Sequence, residues 1–250
     1  MRLMSRFFAV ATLAGALLVA APASAEPASA QLQARPGLVA MTLPPGVSRI
    51  GKNAQAYRPR NAAAGALPLI VLLHGAGGDA GRFLAEFKSI ADRRGAILLA
   101  LKSAGPTWQL QPRRGGRASF GRDAANLDAA LGELFAKAPV DRERVVLLGF
   151  SDGASYALSL GLANPQLFRA IVALSVGGVF MPRSVDETQR LFIAHGRRDP
   201  VLPFANVQRR IVPGLQRSGL EPRVHWFHGR HMIDSDALDD GLDYALGGER

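Results

Sequence analysis

One serine stands where its hydroxyl could act as a nucleophile. The sequence Gly149-Phe150-Ser151-Asp152-Gly153 follows an apolar run and precedes a small, apolar segment of helical character. This matches the G-x-S-x-G pattern, in which a sharp turn between a strand and a helix holds a serine above the end of a sheet. The glycines suit such a turn, because a Cβ at either position would clash where strand and helix approach each other. The alternative is an ordinary glycine-rich turn.

A serine hydroxyl needs a base to accept its proton, and that base needs a third group to orient it. In open α/β sheets, ligand-binding groups follow the carboxyl ends of the strands. Asp199 follows a short predicted strand, and we predict that it is the acid rather than a turn residue. His231 follows the last predicted strand, and we predict that it is the base. The competing candidates for these two roles are Asp186, Asp234, Asp236, His225 and His228.

The three histidines of the last strand and its loop raise the alternative of a metal site. His225, His228 and His231 are spaced three residues apart, which does not bring them to one face of a strand. No carboxylate motif accompanies them, and the chain contains no cysteine. We therefore expect no metal and no cofactor.

Attack of a serine on a carbonyl group also needs backbone N–H groups directed at the negative charge that develops on the carbonyl oxygen. One donor is expected at Asp152, directly after the serine. The second is expected in the glycine-rich loop 74–78, which follows an apolar strand. We choose Ala76 for it, with Gly77 as the alternative. A phosphate-binding role for this loop is disfavoured, because no G-x-x-x-x-G-K-[ST] pattern is present.

Substrate contacts are less well defined by the sequence. Trp108 lies in a long predicted loop, and Phe180 and Met181 lie in another. Trp108 is a candidate substrate-binding residue, with packing beneath its own loop as the alternative. The residues of these loops do not identify a particular substrate.

Apolar runs of strand length alternate with amphipathic segments along most of the chain. This alternation predicts a single-domain α/β fold, with a mostly parallel sheet and helices on both faces. The predicted strands are Val39–Leu43, Asn53–Tyr57, Leu67–Leu73, Ala96–Leu101, Arg144–Gly149, Phe168–Ser175, Leu191–Ala194 and Arg223–Phe227. The predicted helices are 80–93, Asp123–Lys137, 152–163, Phe204–Ser218 and Ile233–Leu246. Pro213 is expected to kink or shorten the fourth helix.

The first 25 residues have the features of a signal peptide. Arg2 and Arg6 precede the apolar run Phe7–Ala21, and Ala23-Ser24-Ala25 matches an A-x-A cleavage site. The apolar run has 15 residues, fewer than the ~20 that span a bilayer. We expect an exported protein, periplasmic or extracellular, without a membrane span.

Composition limits the remaining possibilities. After the signal peptide, we expect a loose segment at 26–46 and one folded domain at 47–250, a length that suits a single core. The formal net charge of +10 is spread along the chain, with one local cluster at Arg113, Arg114 and Arg117. We interpret that cluster as a solvated loop and expect no nucleic-acid partner.

Together these motifs resemble the α/β-hydrolase superfamily, and within it the small serine esterases of the phospholipase/carboxylesterase and polyhydroxybutyrate-depolymerase-like groups. The resemblance covers roughly residues 67–235 and rests on the order of the motifs. It implies Ser151 as nucleophile, Asp199 as acid and His231 as base, with N–H donors at Ala76 and Asp152. It also implies hydrolysis of a small carboxylic ester through an acyl-enzyme. A thioesterase, a small peptidase and a non-catalytic exported binding protein are the alternatives.

The signal peptide leads to a first testable expectation. In a host that exports it, the mature chain should begin at Glu26, and mass spectrometry of the N-terminal peptide measures this. Ala25→Leu should block cleavage, because the cleavage site requires a small residue. An exported wild-type chain that still begins at Met1 would contradict the assignment.

Overall fold

The computed structural model describes residues 30–113 and 118–247. The predicted signal peptide lies outside the described residues, as do Arg114 and Arg117. In chain order the elements are β1 (Gly46–Ile50), β2 (Ala54–Arg58), β3 (Leu67–Leu73), α1 (Ala80–Arg94), β4 (Ile97–Leu101), β5 (Gln111–Pro112), β6 (Ala118–Ser119), α2 (Gly121–Phe135), β7 (Val140–Phe150), α3 (Asp152–Leu162), β8 (Ala170–Leu174), β9 (Arg190–Gly196), α4 (Phe204–Asn206), a π-helical turn (Val207–Ile211), α5 (Val212–Arg217), β10 (Arg223–Phe227) and α6 (Ser235–Leu246). Among the described residues, no helix combines the length and apolarity needed to cross a membrane.

Eight strands form the main sheet, in the order β1-β2-β4-β3-β7-β8-β9-β10. Neighbouring strands from β4 to β10 run parallel, whereas β1 and β2 pair antiparallel with each other and β2 pairs antiparallel with β4. The predicted fold class, a mostly parallel sheet with helices on both faces, is confirmed. Because the parallel strands share one carboxyl edge, the loops that follow β3, β7, β9 and β10 meet at that edge.

Both faces of the sheet are covered, which explains the continuous apolar runs of the parallel strands. All seven residues of β3 are buried. Leu69, Val71 and Leu73 pack into the same hydrophobic cluster as residues of α2 and α3, whereas Ile70 and Leu72 pack into the cluster that contains residues of α1 and α6. Alternate residues of one strand therefore serve two helical layers.

The helix α1 shows how local sequence signals set the boundaries of an element. Asp79 caps its first turn by accepting a hydrogen bond from the Arg82 N–H at 3.0 Å. Gly95 ends it in the left-handed conformation, with φ of 60°. Both ends agree with the predicted helix 80–93 to within one residue.

The predicted strand Val39–Leu43 is wrong. Its residues alternate in burial, but the N–H groups of Thr42 and Leu43 donate to the Lys137 carbonyl, at 2.8 and 2.9 Å, beyond the end of α2. An alternating pattern of burial does not by itself place a partner strand beside a segment. The first strand begins at Gly46, after the prolines of Pro44-Pro45.

Residues 30–45 form neither a helix nor a strand, but side chains of the domain bind their backbone. Asn164 accepts from the Leu32 N–H at 2.8 Å and donates to the Ala30 carbonyl at 2.6 Å. Asp128 accepts from the N–H groups of Gln33 and Ala34, at 2.7 and 2.8 Å. This segment is therefore pinned to α2 and to the end of α3.

Pro213 neither ends nor sharply shortens the helical segment that contains it. Helical backbone runs from Phe204 to Arg217, with a π-helical turn at Val207–Ile211 directly before α5. The Val212 N–H bonds to the Val207 carbonyl, five residues earlier. This wider turn accommodates a proline, which lacks an N–H and would clash with the carbonyl four residues before it.

Asn164 supplies a stability test for the attachment of residues 30–45. Its side chain also donates to the Leu160 carbonyl at 2.8 Å, and the residue is 2% exposed. Asn164→Ala should lower the free energy of unfolding by about 2–4 kcal/mol, because it leaves buried backbone groups unpaired. Urea unfolding measures the change, with Asn126→Ala on α2 as the control. Equal losses in the two variants would contradict this role for Asn164.

Candidate active site

Ser151 occupies the turn between β7 and α3 in a conformation that is rare for a residue with a side chain. Its φ is 56° and its ψ is −117°. Its N–H donates to the Leu174 carbonyl of β8 at 2.9 Å, and its carbonyl accepts from the Ala154 N–H at 3.0 Å, within the first turn of α3. Hydrogen bonds to β8 and within α3 thus hold the backbone of Ser151 in this strained geometry.

The two glycines of the motif allow the close approach that the sequence predicted. A Cβ at Gly149 would overlap the carbonyl group of Gly153, and a Cβ at Gly153 would overlap the Leu73 carbonyl at the end of β3. The first contact closes the turn on itself. The second brings the start of α3 against the loop that follows β3.

Ser151, His231 and Asp199 form one hydrogen-bonded chain. The distance from Ser151 Oγ to His231 Nε2 is 2.8 Å, and the distance from His231 Nδ1 to Asp199 Oδ2 is 2.7 Å. The three residues follow β7, β10 and β9 respectively, at the shared carboxyl edge. With Nδ1–H donating to the carboxylate, Nε2 is the acceptor that faces the serine hydroxyl.

The carboxylate of Asp199 is held by its own turn as well as by the imidazole. Oδ1 accepts from the N–H groups of Val201 and Leu202, at 2.8 and 2.9 Å, and the side chain has no exposed surface. Burial opposes ionisation of this carboxyl, but the hydrogen bonds from His231, Leu202 and Val201 together outweigh it and lower its pKa below the usual value. Asp199 therefore stays negatively charged beside the imidazole.

His195 is a neighbour of the acid to which sequence reasoning assigned no role. It is fully buried at the end of β9, where Nε2 lies 2.8 Å from the Leu202 carbonyl and 3.3 Å from Asp199 Oδ2. This geometry makes Nε2 the protonated nitrogen. Burial is the main reason why the pKa of His195 lies below its usual value. The sequence feature that could have identified His195 is the pair His195-Gly196 at the end of a predicted strand, four residues before Asp199.

The loop after β3 lies directly against the serine. A Cβ at Gly75 would be 3.4 Å from the Ser151 Cβ and 3.2 Å from the Phe150 ring. Ala76, one predicted donor, follows in an exposed position, and Asp152, the other predicted donor, begins α3. The backbone N–H groups at 76 and 152 have no acceptor within 30–113 and 118–247.

Trp108 packs beneath its own loop, which was the alternative to a substrate contact. It is 3% exposed, and its ring centroid lies 5.2 Å from that of His74 and 5.2 Å from that of Tyr156. Its indole N–H donates to the His74 carbonyl at 2.7 Å. Almost none of its surface is available to a ligand.

The competing acids and histidines have other partners or lie apart from the serine. His225 Nδ1 is 2.9 Å from Asp240 Oδ2, Asp186 accepts from the Thr188 hydroxyl at 2.6 Å, and Asp234 caps α6. His228 is exposed. Within the described part of the chain, no group of three or more His, Cys, Asp or Glu side chains is arranged to hold a metal ion.

The model of the phospholipase/carboxylesterase family matches residues 109–244, more than half of the chain. The chain belongs to this family. The matched region contains Ser151, Asp199 and His231, but not the loop 74–78.

Two relatives are similar over part of this chain. NocK from Nocardia uniformis subsp. tsuyamanensis, whose name describes a proposed esterase, is 29% identical over 142 residues, which are 55% of this chain and 41% of NocK. Acyl-protein thioesterase 1 from Mycosarcoma maydis is 34% identical over 80 residues, which are 29% of this chain and 32% of the relative. The chain thus matches less than half of the length of either relative.

The solved structure of esterase PE8 has the same fold. It matches with a TM-score of 0.59 and 23% identity, over 80% of this chain and 97% of the PE8 chain. The carboxylesterase of Bacillus cereus matches with a TM-score of 0.55 and 20% identity, over 78% and 94% of the two chains. At these identities the likeness concerns the α/β-hydrolase architecture.

The burial of His195 predicts a loss of stability in mild acid. The unfolded chain takes up a proton at an ordinary histidine as the pH falls through about 6.5, while the folded state resists it. Stability should therefore fall below about pH 6.5, and again below about pH 4, where unfolded Asp199 takes up a proton more readily than the folded carboxylate. Thermal unfolding from pH 8 to pH 3 measures both stages.

His195→Gln isolates the first stage, because an amide can donate to the Leu202 carbonyl but does not titrate. Its Tm should fall less than that of the wild type between pH 7.5 and pH 5.5. The exposed His228→Gln is the matched control and should behave as the wild type does. Parallel curves for His195→Gln and the wild type would show that His195 is not responsible.

Proposed function

We propose that this protein is an exported serine hydrolase that cleaves carboxylic esters through an acyl-enzyme intermediate. The observation that carries the proposal is the hydrogen-bonded chain from Ser151 Oγ through His231 to Asp199, with links of 2.8 and 2.7 Å. Family membership supports an ester substrate. Residues 1–25, with their predicted cleavage site, support export.

The first half of the reaction forms the acyl-enzyme. His231 Nε2 accepts the hydroxyl proton of Ser151 as Oγ attacks the carbonyl carbon of the ester. The ionised Asp199 stabilises the imidazolium that results and keeps its Nδ1–H directed away from the serine. The tetrahedral intermediate then collapses, and the imidazolium passes its proton to the departing alcohol oxygen.

The second half repeats these steps with water as the nucleophile. His231 accepts a proton from water as the water oxygen attacks the acyl carbon, and it returns the proton to Ser151 Oγ as the carboxylic acid leaves. In both halves the carbonyl oxygen becomes negatively charged. The N–H groups of Ala76 and Asp152 are the proposed donors to it, since the loop that carries Ala76 lies against Ser151 and Asp152 begins α3.

Thioesters are the second candidate substrates. The same nucleophile, base and donors serve an acyl group bound to sulfur, and the Mycosarcoma maydis relative is named as an acyl-protein thioesterase. We propose a small-molecule ester as the primary substrate, because the phospholipase/carboxylesterase family model matches more of this chain than the thioesterase relative does. A panel of p-nitrophenyl esters of increasing acyl length, run beside a thioester and a peptide amide, separates these classes.

Replacement of the nucleophile tests the proposal directly. Ser151→Ala should reduce kcat on p-nitrophenyl butyrate by several orders of magnitude, as the ~10⁶-fold loss known for a triad serine indicates. It should also abolish covalent labelling by a fluorophosphonate probe, which intact-mass spectrometry detects. Ser184→Ala, at an exposed loop position, is the control and should keep both. A folded wild type that is neither active nor labelled would favour the non-catalytic binding protein.

A further inference from the structure

The segment 102–113, which follows β4, contacts both of the segments that carry the proposed oxyanion donors. At its centre, the Trp108 indole N–H donates to the His74 carbonyl at 2.7 Å, in the loop after β3. The backbone N–H of the same residue donates to Asp152 Oδ2 at 2.7 Å, at the start of α3. One residue thus binds both the segment that precedes Ala76 and the residue that follows Ser151.

Further contacts hold the loop after β3 against this same segment. His74 Nδ1 lies 2.7 Å from the Gly75 carbonyl, so Nδ1 carries the proton and Nε2 accepts from the Ser103 N–H at 3.3 Å. The Gly77 N–H donates to the Pro106 carbonyl at 2.7 Å. The position of Ala76 is therefore fixed from both sides by bonds to residues 103–108.

The segment around Trp108 is itself fastened to α2. The carboxylate of Asp123, which is fully buried, accepts from the Ala104 N–H at 2.6 Å and from the Gln109 N–H at 2.8 Å. The Trp108 ring packs against Tyr156 of α3, whose hydroxyl donates to the Phe120 carbonyl at 2.9 Å. Trp108 is thus a rigid support, because its bonds and its ring contacts are buried.

We propose that Trp108 is a positioning residue for the oxyanion hole. Its indole N–H sets where the loop 74–78 stands, and its backbone N–H sets where Asp152 stands. It thereby fixes the separation between the N–H groups of Ala76 and Asp152. The proposal rests on the ester-hydrolase function proposed above. Donors to an oxyanion must lie within about 2.7–3.1 Å of the charged oxygen. A small change in the separation of the donors therefore weakens binding of the transition state more than binding of the substrate.

Trp108→Phe is the sharpest test, because it removes the indole N–H and keeps the backbone N–H and an aromatic ring. On p-nitrophenyl butyrate we expect kcat to fall about 10- to 100-fold with KM within about twofold, since loss of a whole oxyanion donor costs ~10²–10³ in kcat. The inhibition constant of a trifluoromethyl ketone, whose adduct with the serine carries an oxyanion, should rise by a similar factor. Trp226→Phe, in β10, is the matched control and should leave both near the wild-type values.

Three outcomes would overturn this role for Trp108. Equal kcat and inhibition constants in the two tryptophan variants, with only a lower Tm for Trp108→Phe, would make Trp108 a packing residue. A higher KM at unchanged kcat would make it a substrate contact. An equal loss of kcat in both variants would show a general effect of tryptophan replacement. If the wild type and Ser151→Ala are equally inactive, the ester-hydrolase function itself has failed, which is a different result.

A second pair of variants tests the other end of the connection and does not depend on the folding of Trp108→Phe. Asp152→Asn keeps a side-chain oxygen that accepts from the Trp108 N–H, whereas Asp152→Ala removes the acceptor. Asp152→Asn should therefore retain at least about tenfold more kcat than Asp152→Ala, at similar KM. Equal activity of the two variants would contradict the proposed link from Trp108 to Asp152.

Discussion

The close approach between the start of α3 and the end of β3 is the constraint on which the site depends. With a hydrogen atom as its side chain, Gly153 lies against the Leu73 carbonyl, and Gly149 allows the turn to close on Gly153. This contact brings the loop after β3 beside Ser151 and forces the serine into a conformation with positive φ. The cost of that strain is offset by burial of β3 and of residues 145–148 of β7, whose side chains have almost no surface accessible to water.

The acid side of the site is built differently from the nucleophile side. Ser151 is positioned by backbone strain, whereas Asp199 is positioned by hydrogen bonds from two N–H groups of its own turn and by buried His195. A buried carboxylate requires this number of partners to remain ionised. The imidazole of His231 lies between the two, with its ring centroid 5.1 Å from that of Phe150 and the ring planes tilted by 35°. The side chain of His231 is 16% exposed, whereas that of Asp199 has no exposed surface, which suits a group that must meet both substrate and water.

Local patterns made much of this architecture predictable. The predicted bounds of β3 and β10 match the structure, and for β3 this follows from a continuous apolar run in which every residue is buried. The spacing of Ser151, Asp199 and His231 after such strands led to residues that the fold brings within hydrogen-bond distance. Their catalytic roles remain a proposal. β7 was predicted too short, because residues 141–143 near its start are polar and lie where its pairing with β3 is interrupted, between Val140 and Val145.

Contacts between residues far apart in sequence could not be predicted in the same way. Asn164 binds Leu32 across 132 positions, and Asp152 binds Trp108 across 44. Neither pair has a spacing or a composition that distinguishes it from an ordinary surface asparagine or a loop tryptophan. Such bonds depend on how the helices and strands pack together, and the local patterns of a single sequence do not show this packing.

The π-helical turn before Pro213 has a consequence for the phase of the helix around it. Val207, Ile211 and Leu215 are all buried, although residues four apart drift around the axis of a regular α-helix, which has 3.6 residues per turn. A turn that takes in an extra residue cancels part of this drift and returns Leu215 to the side that Val207 occupies. Removing one residue from this turn would place Leu215 seven positions after Val207, a spacing that a regular α-helix also keeps on one side. The shortened segment would then hold Pro213 in a regular helix, where its ring clashes with the carbonyl four residues earlier.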